Sequence, residues 1–175
     1  MSANDPRYYG KYRGIVTVPV DTGSKGRVQA LVTVGGTPKT VVAEACMPFG
    51  GPGAGFFAVP PVGAGVWIEF EEGRLDKPIW TGVWWSEGEL DSAFAVASTA
   101  TPLQAMPVVI QSFGGNHIVL GATPADGIRL ETSLGLQGPS ITVNAQSILI
   151  ADGKGGGIAI SGGQVVVNMG ALVVK

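Results

Sequence analysis

The chain has 175 residues, among them 28 glycines, 12 prolines and one cysteine, and carries a net charge of −2. That many turn formers exclude a mainly helical protein and leave room for two small β modules, while Cys46 alone excludes an internal disulfide and reads as a small buried hydrophobe. The polar segment 1–13 lacks the apolar stretch of a secretory signal, and no run reaches the roughly 18 apolar residues of a membrane span, so synthesis in a cytoplasm without the general secretory route is expected.

Charge is unevenly spread. Arg7, Lys11, Arg13, Lys25, Arg27 and Lys39 against Asp5 and Asp21 give +4 over residues 1–40, and Arg74 and Lys77 against eight carboxylates give −6 over residues 41–91. A solvated polar surface accounts for both halves.

The front module, 1–88, carries every tryptophan. Val28, Ala30, Val32 and Val34 alternate with Arg27, Gln29, Leu31 and Thr33, and Val66, Ile68 and Phe70 alternate with Trp67, Glu69 and Glu71, so each run has one apolar face. Strands near 15–18, 41–47 and 79–85 bring the number to five, which suits a small closed Greek-key barrel of the OB type. The glycine- and proline-rich stretch 50–65 reads as a bent connection between strands, and 71–78 as a charged hairpin. Residues 89–108, rich in small side chains and without alternation, read as a linker.

From 109 to 175 the pattern is a ladder of short strands. Ile118 and Leu120, Ile128 and Leu130, Ile141 and Val143, Ile148 and Ile150, Ile158 and Ile160, and Val165 and Val167 each stand two apart, with turn formers such as Gly114-Gly115-Asn116, Asp152-Gly153 and Gly162-Gly163 between them. No aromatic residue follows Phe113, so a compact sandwich with large inward side chains is not expected. One copy would leave these aliphatic rows wet. The expected solution is an intertwined, trimeric β-helical shaft with those twelve residues on the axis, Asp126, Arg129, Glu131, Asp152 and Lys154 outside it or at turns, and Leu172, Val173, Val174 and Lys175 at the tip.

Several ordered blocks carry a resemblance. Tyr8-Tyr9-Gly10-Lys11-Tyr12-Arg13-Gly14, Met47-Pro48-Phe49-Gly50-Gly51-Pro52-Gly53, Pro60-Pro61-Val62-Gly63-Ala64-Gly65-Val66-Trp67 and Pro78-Ile79-Trp80-Thr81-Gly82 are similar to the OB domain of phage baseplate assembly protein V and of the Vgr spikes of type VI secretion systems. The segment 158–175 is similar to the end of such spikes. The resemblance implies a homotrimeric needle in the baseplate of a contractile tail or injection particle. Its barrel would meet the hub or tail tube, and its shaft would point at the target envelope, touch the membrane transiently and carry a small PAAR-like cap. A His-x-His metal apex is not implied, because the single histidine, His117, lies at the start of the shaft.

Chemistry is not expected. Alternation sends Glu69 and Glu71 outward and puts Glu72 in a turn; one histidine makes no multi-histidine metal site and has no recognisable nucleophile partner; and Gly153-Lys154-Gly155 lacks the spacing of a phosphate loop. No catalytic, cofactor-binding or metal residue is assigned. The alternative reading is an OB module that binds single-stranded nucleic acid on Tyr8, Tyr9, Tyr12, Trp67, Trp80, Trp84 and Trp85 or recognises a glycan. The acidic balance of residues 41–91 opposes the nucleic-acid form, because phosphate neutralisation dominates such affinity.

Overall fold

The computed structural model describes residues 5–18, 25–90, 107–168 and 171–174; side chains are described throughout these except at Val173 and Val174. Among the described residues all regular structure is β apart from two 3₁₀ turns, and the chain divides into two compact units, residues 1–89 and 90–175.

In the first unit, β1 (Tyr12–Val18), β2 (Val28–Val34), β3 (Thr37–Ala45), β6 (Gly65–Phe70) and β7 (Pro78–Trp84) close a five-stranded barrel in the order β1-β2-β3-β7-β6. All its pairings are antiparallel except β3 with β7, which run parallel through Glu44–Ile79 and Ala45–Trp80. Alternation decides what fills it. Val28, Ala30, Val32 and Val34 from β2, with Val16, Val41, Ala43, Val66, Ile68, Phe70 and Trp80, form the core, and the Trp80 indole N–H donates to the Gly26 carbonyl at 3.0 Å. Closure leaves no open strand edge in this barrel, so the unit satisfies its backbone and its apolar face within one chain.

Three local expectations change. Cys46, expected to be buried, is exposed. The glycine-rich stretch is not only a connection: β4 (Gly50–Gly51) and β5 (Ala54–Gly55) pair as a small hairpin, with Phe49, Phe56 and Phe57 exposed beside it. Strand β6 stops at Phe70, so Glu71 sits in a 3₁₀ turn (Glu71–Gly73) rather than on the strand's outer face, and Glu72 takes a left-handed φ of 52°. The turn is braced by the N-terminal arm, since the Tyr8 N–H donates to the Gly73 carbonyl at 2.8 Å and Tyr8 and Tyr12 pack on the Phe70 ring.

The second unit is one eight-stranded meander: β8 (Val108–Gln111), β9 (His117–Leu120), β10 (Ile128–Glu131), β11 (Ser140–Val143), β12 (Ser147–Ala151), β13 (Gly157–Ser161), β14 (Gln164–Val167) and β15 (Leu172–Val174). Each pairs antiparallel with the next, so β9 to β14 are bonded along both edges within the chain. This narrows the expectation of intertwined strands. A backbone group already paired inside the chain is not available to a neighbour, which leaves strand pairing between copies to the outer edges of β8 and β15. Of the expected linker 89–108, residues 91–106 lie outside the described residues, as does Lys175 at the tip.

Gly65 shows how closely the barrel is packed at its seam. A Cβ there would lie 2.6 Å from the Trp84 ring and from the Trp84 carbonyl oxygen. Gly65→Ala is expected to lower barrel stability by about 1–3 kcal/mol, the usual cost of overpacking. Thermal unfolding followed by tryptophan fluorescence reads the barrel selectively, because Trp67, Trp80, Trp84 and Trp85 all lie in it; an unchanged midpoint would contradict this packing.

Candidate functional site

The meander's register determines what each face presents. Partners in an antiparallel ladder share a face, and the pairings chain into two continuous rows. One runs Val108, Leu120, Ile128, Val143, Ile148, Ile160 and Val165 to the register position of Val174; the other runs Ile110, Ile118, Leu130, Ile141, Ile150, Ile158, Val167 and Leu172. All twelve residues expected on the axis therefore stand on one face. Val108 and Ile110 extend both rows by one strand beyond those twelve. At roughly 4.8 Å between strands, the rows are about 34 Å long.

The described residues of this unit leave the face uncovered. Leu120, Ile128, Leu130, Ile141, Val143, Ile148, Ile150, Ile158 and Ile160 are each 38–49 % exposed, while Ile118, Val165 and Val167 are half-buried. A groove of about 690 Å³ crosses it, floored by Ile110, Ile118, Leu130, Ile141 and Ile150. Leu172 is exposed at the last strand. Contiguous apolar surface on this scale marks an interaction site.

The opposite face inverts the usual arrangement. Val119 is buried there, and so are three polar residues, His117, Glu131 and Ser140. His117 and Glu131 are directly opposed on β9 and β10. The imidazole Nε2 lies 2.6 Å from Glu131 Oε2, Nδ1 lies 2.8 Å from the Gly115 carbonyl, and Arg129 Nε stands 3.2 Å from Glu131 Oε1. A carbonyl can only accept, so Nδ1 carries a proton. With both ring nitrogens engaged, His117 has none free to take a proton from a substrate, and the cluster acts as a polar tie between two strands. Arg129 and Glu131 do lie off the aliphatic face, as expected, but Glu131 is buried rather than outward in solvent. Nothing in its sequence neighbourhood signals this, because the partner that shields it is fourteen residues away.

The margins of the sheet are pinned by turn side chains. Asn144 Oδ1 accepts from the Gln146 and Ser147 N–H groups at 2.9 Å each, Asp126 Oδ2 accepts from the Thr123 hydroxyl at 2.7 Å, and Asn168 Oδ1 accepts from the Gly157 N–H at 3.1 Å. The Asn144 and Asp126 bonds close their own turns, and the Asn168 bond ties the end of β14 to the start of β13.

On the barrel, the tryptophans are not open stacking platforms. The Arg13 guanidinium lies 4.7 Å from the centre of the Trp84 ring and 5.3 Å from that of Trp67, and Trp80 is buried in the core. Trp85 is exposed. The Lys11 ammonium pairs with Glu69 at 2.6 Å. The aromatic strip expected of the nucleic-acid reading is thus largely committed to internal contacts.

Asp152 gives the margins a pH dependence. Its Oδ1 accepts from the Lys154 N–H at 2.7 Å and the Gly156 N–H at 2.9 Å, and these bonds hold its carboxyl below the ordinary aspartate value of 3.8. A folded value below the unfolded one stabilises the fold above the unfolded value, and that stabilisation is lost as pH falls through the folded one. In thermal unfolding followed by circular dichroism, Asp152→Asn is expected to melt below wild type at pH 6, with the gap closing as pH drops from about 4 towards 2. A gap that stays constant across that range would contradict the assignment.

Two family models match the chain. A type VI secretion system/phage-baseplate injector OB domain matches residues 12–85, and a phage baseplate V C-terminal trimerisation domain matches residues 107–173. No curated protein matches it.

Proposed function

Because this chain belongs to the phage baseplate V and Vgr-type family of spike proteins, with a structural role in a baseplate and a C-terminal module that forms homotrimers, we propose that it is the central spike itself. It is a needle that docks on the hub or tail tube through its barrel and is driven into the target envelope when the sheath contracts. The observation that carries this reading is the pair of uncovered aliphatic rows. Three copies, each turning its rows to a common axis, would bury one another's apolar faces, and a side chain passing from about half exposed to buried gains on the order of 1 kcal/mol. Repeated at every strand of three chains, that gain builds a stiff three-sided shaft around a dry axis, with Ile118, Leu120, Ile128, Leu130, Ile141, Val143, Ile148, Ile150, Ile158, Ile160, Val165 and Val167 as its layers.

Such a protein works without catalysis. Its task is to transmit axial force over a small area without bending, and a close-packed aliphatic interior has the low compressibility that this requires. At the far end, Leu172, Val173, Val174 and Lys175 form the platform on which a PAAR-like cap sits, and contact with the target membrane is transient. The barrel, whose core is complete in one chain, is free to use its outer surface for the hub. Residues 1–88, 89–108 and 109–175 would then serve as docking module, linker and shaft. The protein resides in the baseplate of a phage tail or injection particle.

The test separates the two faces of the sheet. Full-length protein is expected to have the native mass of three 17.9 kDa chains. Ile148→Asp places a carboxylate on the axis in each copy, at a cost of several kcal/mol per buried ion, and is expected to abolish the trimer while leaving barrel fluorescence unchanged. Leu149→Asp, one residue away on the other face, is expected to remain trimeric. Monomeric wild type, or an Ile148→Asp trimer of unchanged melting temperature, would overturn the shaft.

A further inference from the structure

Two turns on one margin of the C-terminal sheet carry large apolar side chains out into solvent. Phe113, in the turn between β8 and β9, is 96 % exposed; Leu134 and Leu136, in the turn between β10 and β11, are 67 % and 64 % exposed. Turns at a sheet margin ordinarily favour polar residues and glycine. These two are also braced against each other. The Ser133 N–H donates to Asn116 Oδ1 at 3.3 Å, and Gly115 (φ 82°) runs so close that a Cβ there would lie 3.0 Å from the Ser133 Cβ. The three side chains thus project from a supported rim.

The opposite margin has the complementary character. Its turns 121–127 and 144–146 are joined by a hydrogen bond from the Ala145 N–H to the Pro124 carbonyl at 3.2 Å. They expose small apolar residues, Pro124, Ala125 and Ala145, beside the row ends at Leu120, Ile128, Val143 and Ile148. One margin carries large apolar side chains, and the other carries small ones interspersed with Thr123 and Gln146.

We propose that Phe113, Leu134 and Leu136 form a clasp that closes over the neighbouring copy in the trimer, seated on its Pro124–Ala125–Ala145 margin. The inference rests on the homotrimeric reading and extends it from faces to corners. A threefold axis running along the aliphatic rows brings unlike margins together at every corner, because only a twofold axis would pair a margin with itself. The clasp margin of each chain therefore meets the seat margin of the next, and the contact closes after three. The seat continues directly from the aliphatic face, so the apolar surface runs unbroken from the axis to the corner. The clasp would fix the axial register of neighbouring chains and resist their splaying under load, which face packing alone does less well because aliphatic rows slide.

Native mass determination on the full chain comes first, and its failure to show a trimer would remove the trimeric reading and the clasp with it. Given a trimer, p-benzoylphenylalanine at position 113 is irradiated and the adducts are mapped by mass spectrometry. Covalent dimers and trimers with adducts in residues 120–128 or 143–148 of another copy are expected. Adducts confined to the same chain, adducts on the barrel or on another protein of the particle, or an intact trimer without cross-links would overturn the clasp while leaving the trimer standing. The combined variant Phe113→Ser, Leu134→Ser and Leu136→Ser is expected to raise the concentration at which the trimer half-dissociates by at least about tenfold; an unchanged value would count equally against it.

Discussion

Everything in the C-terminal half depends on the register between consecutive strands. Side chains alternate with a period of two, so a slip of one residue on any strand would turn its aliphatic pair from one face to the other and break both rows. The pairings from Val108–Leu120 to Val167–Leu172 show no such slip. Turns set register, and here Asp126, Asn144 and Asp152 close their own turns while Asn116 and Asn168 tie one connection to another. The short polar side chains at the margins thereby decide where the long apolar ones on the faces point.

The two modules solve the problem of apolar surface in different ways. The barrel closes on itself and fills its interior with side chains from all five strands, so it needs no partner for its core. The meander is a single layer, and a single layer has two faces and no interior. It covers His117, Val119, Glu131 and Ser140 on one face and leaves its aliphatic rows bare on the other. Uncovered aliphatic rows of this length mark an interaction surface, and the match to a trimerisation domain accords with one.

Groups whose residue type suggests reactivity are used here as struts. His117 is held at both nitrogens, Arg13 lies against two tryptophan rings, Lys11 bridges Glu69 and Thr81, and Arg74 is paired with Asp76 at 2.8 Å. Each ties one strand or turn to another, or closes a turn on itself. Such ties limit shear between strands.

Alternation by itself determined which residues are apolar partners on a strand. That is why the barrel core of Val28, Ala30, Val32, Val34, Val66, Ile68 and Phe70 and the twelve aliphatic residues of the meander are legible in the amino-acid sequence: period two is a property of one strand and needs no knowledge of its neighbours. Glycine and proline likewise marked the connections, though not that Gly50–Gly51 and Ala54–Gly55 would pair, or that β6 would end at Phe70. What only the tertiary structure decided is pairing. Nothing local says that Glu131 opposes His117, that Arg13 reaches Trp67 and Trp84, that the strands bond within one chain rather than between chains, or that Phe113 and Leu134 share a margin. Those facts depend on hydrogen-bond register between segments distant in sequence, and register is the sum of every turn length and cap along the way.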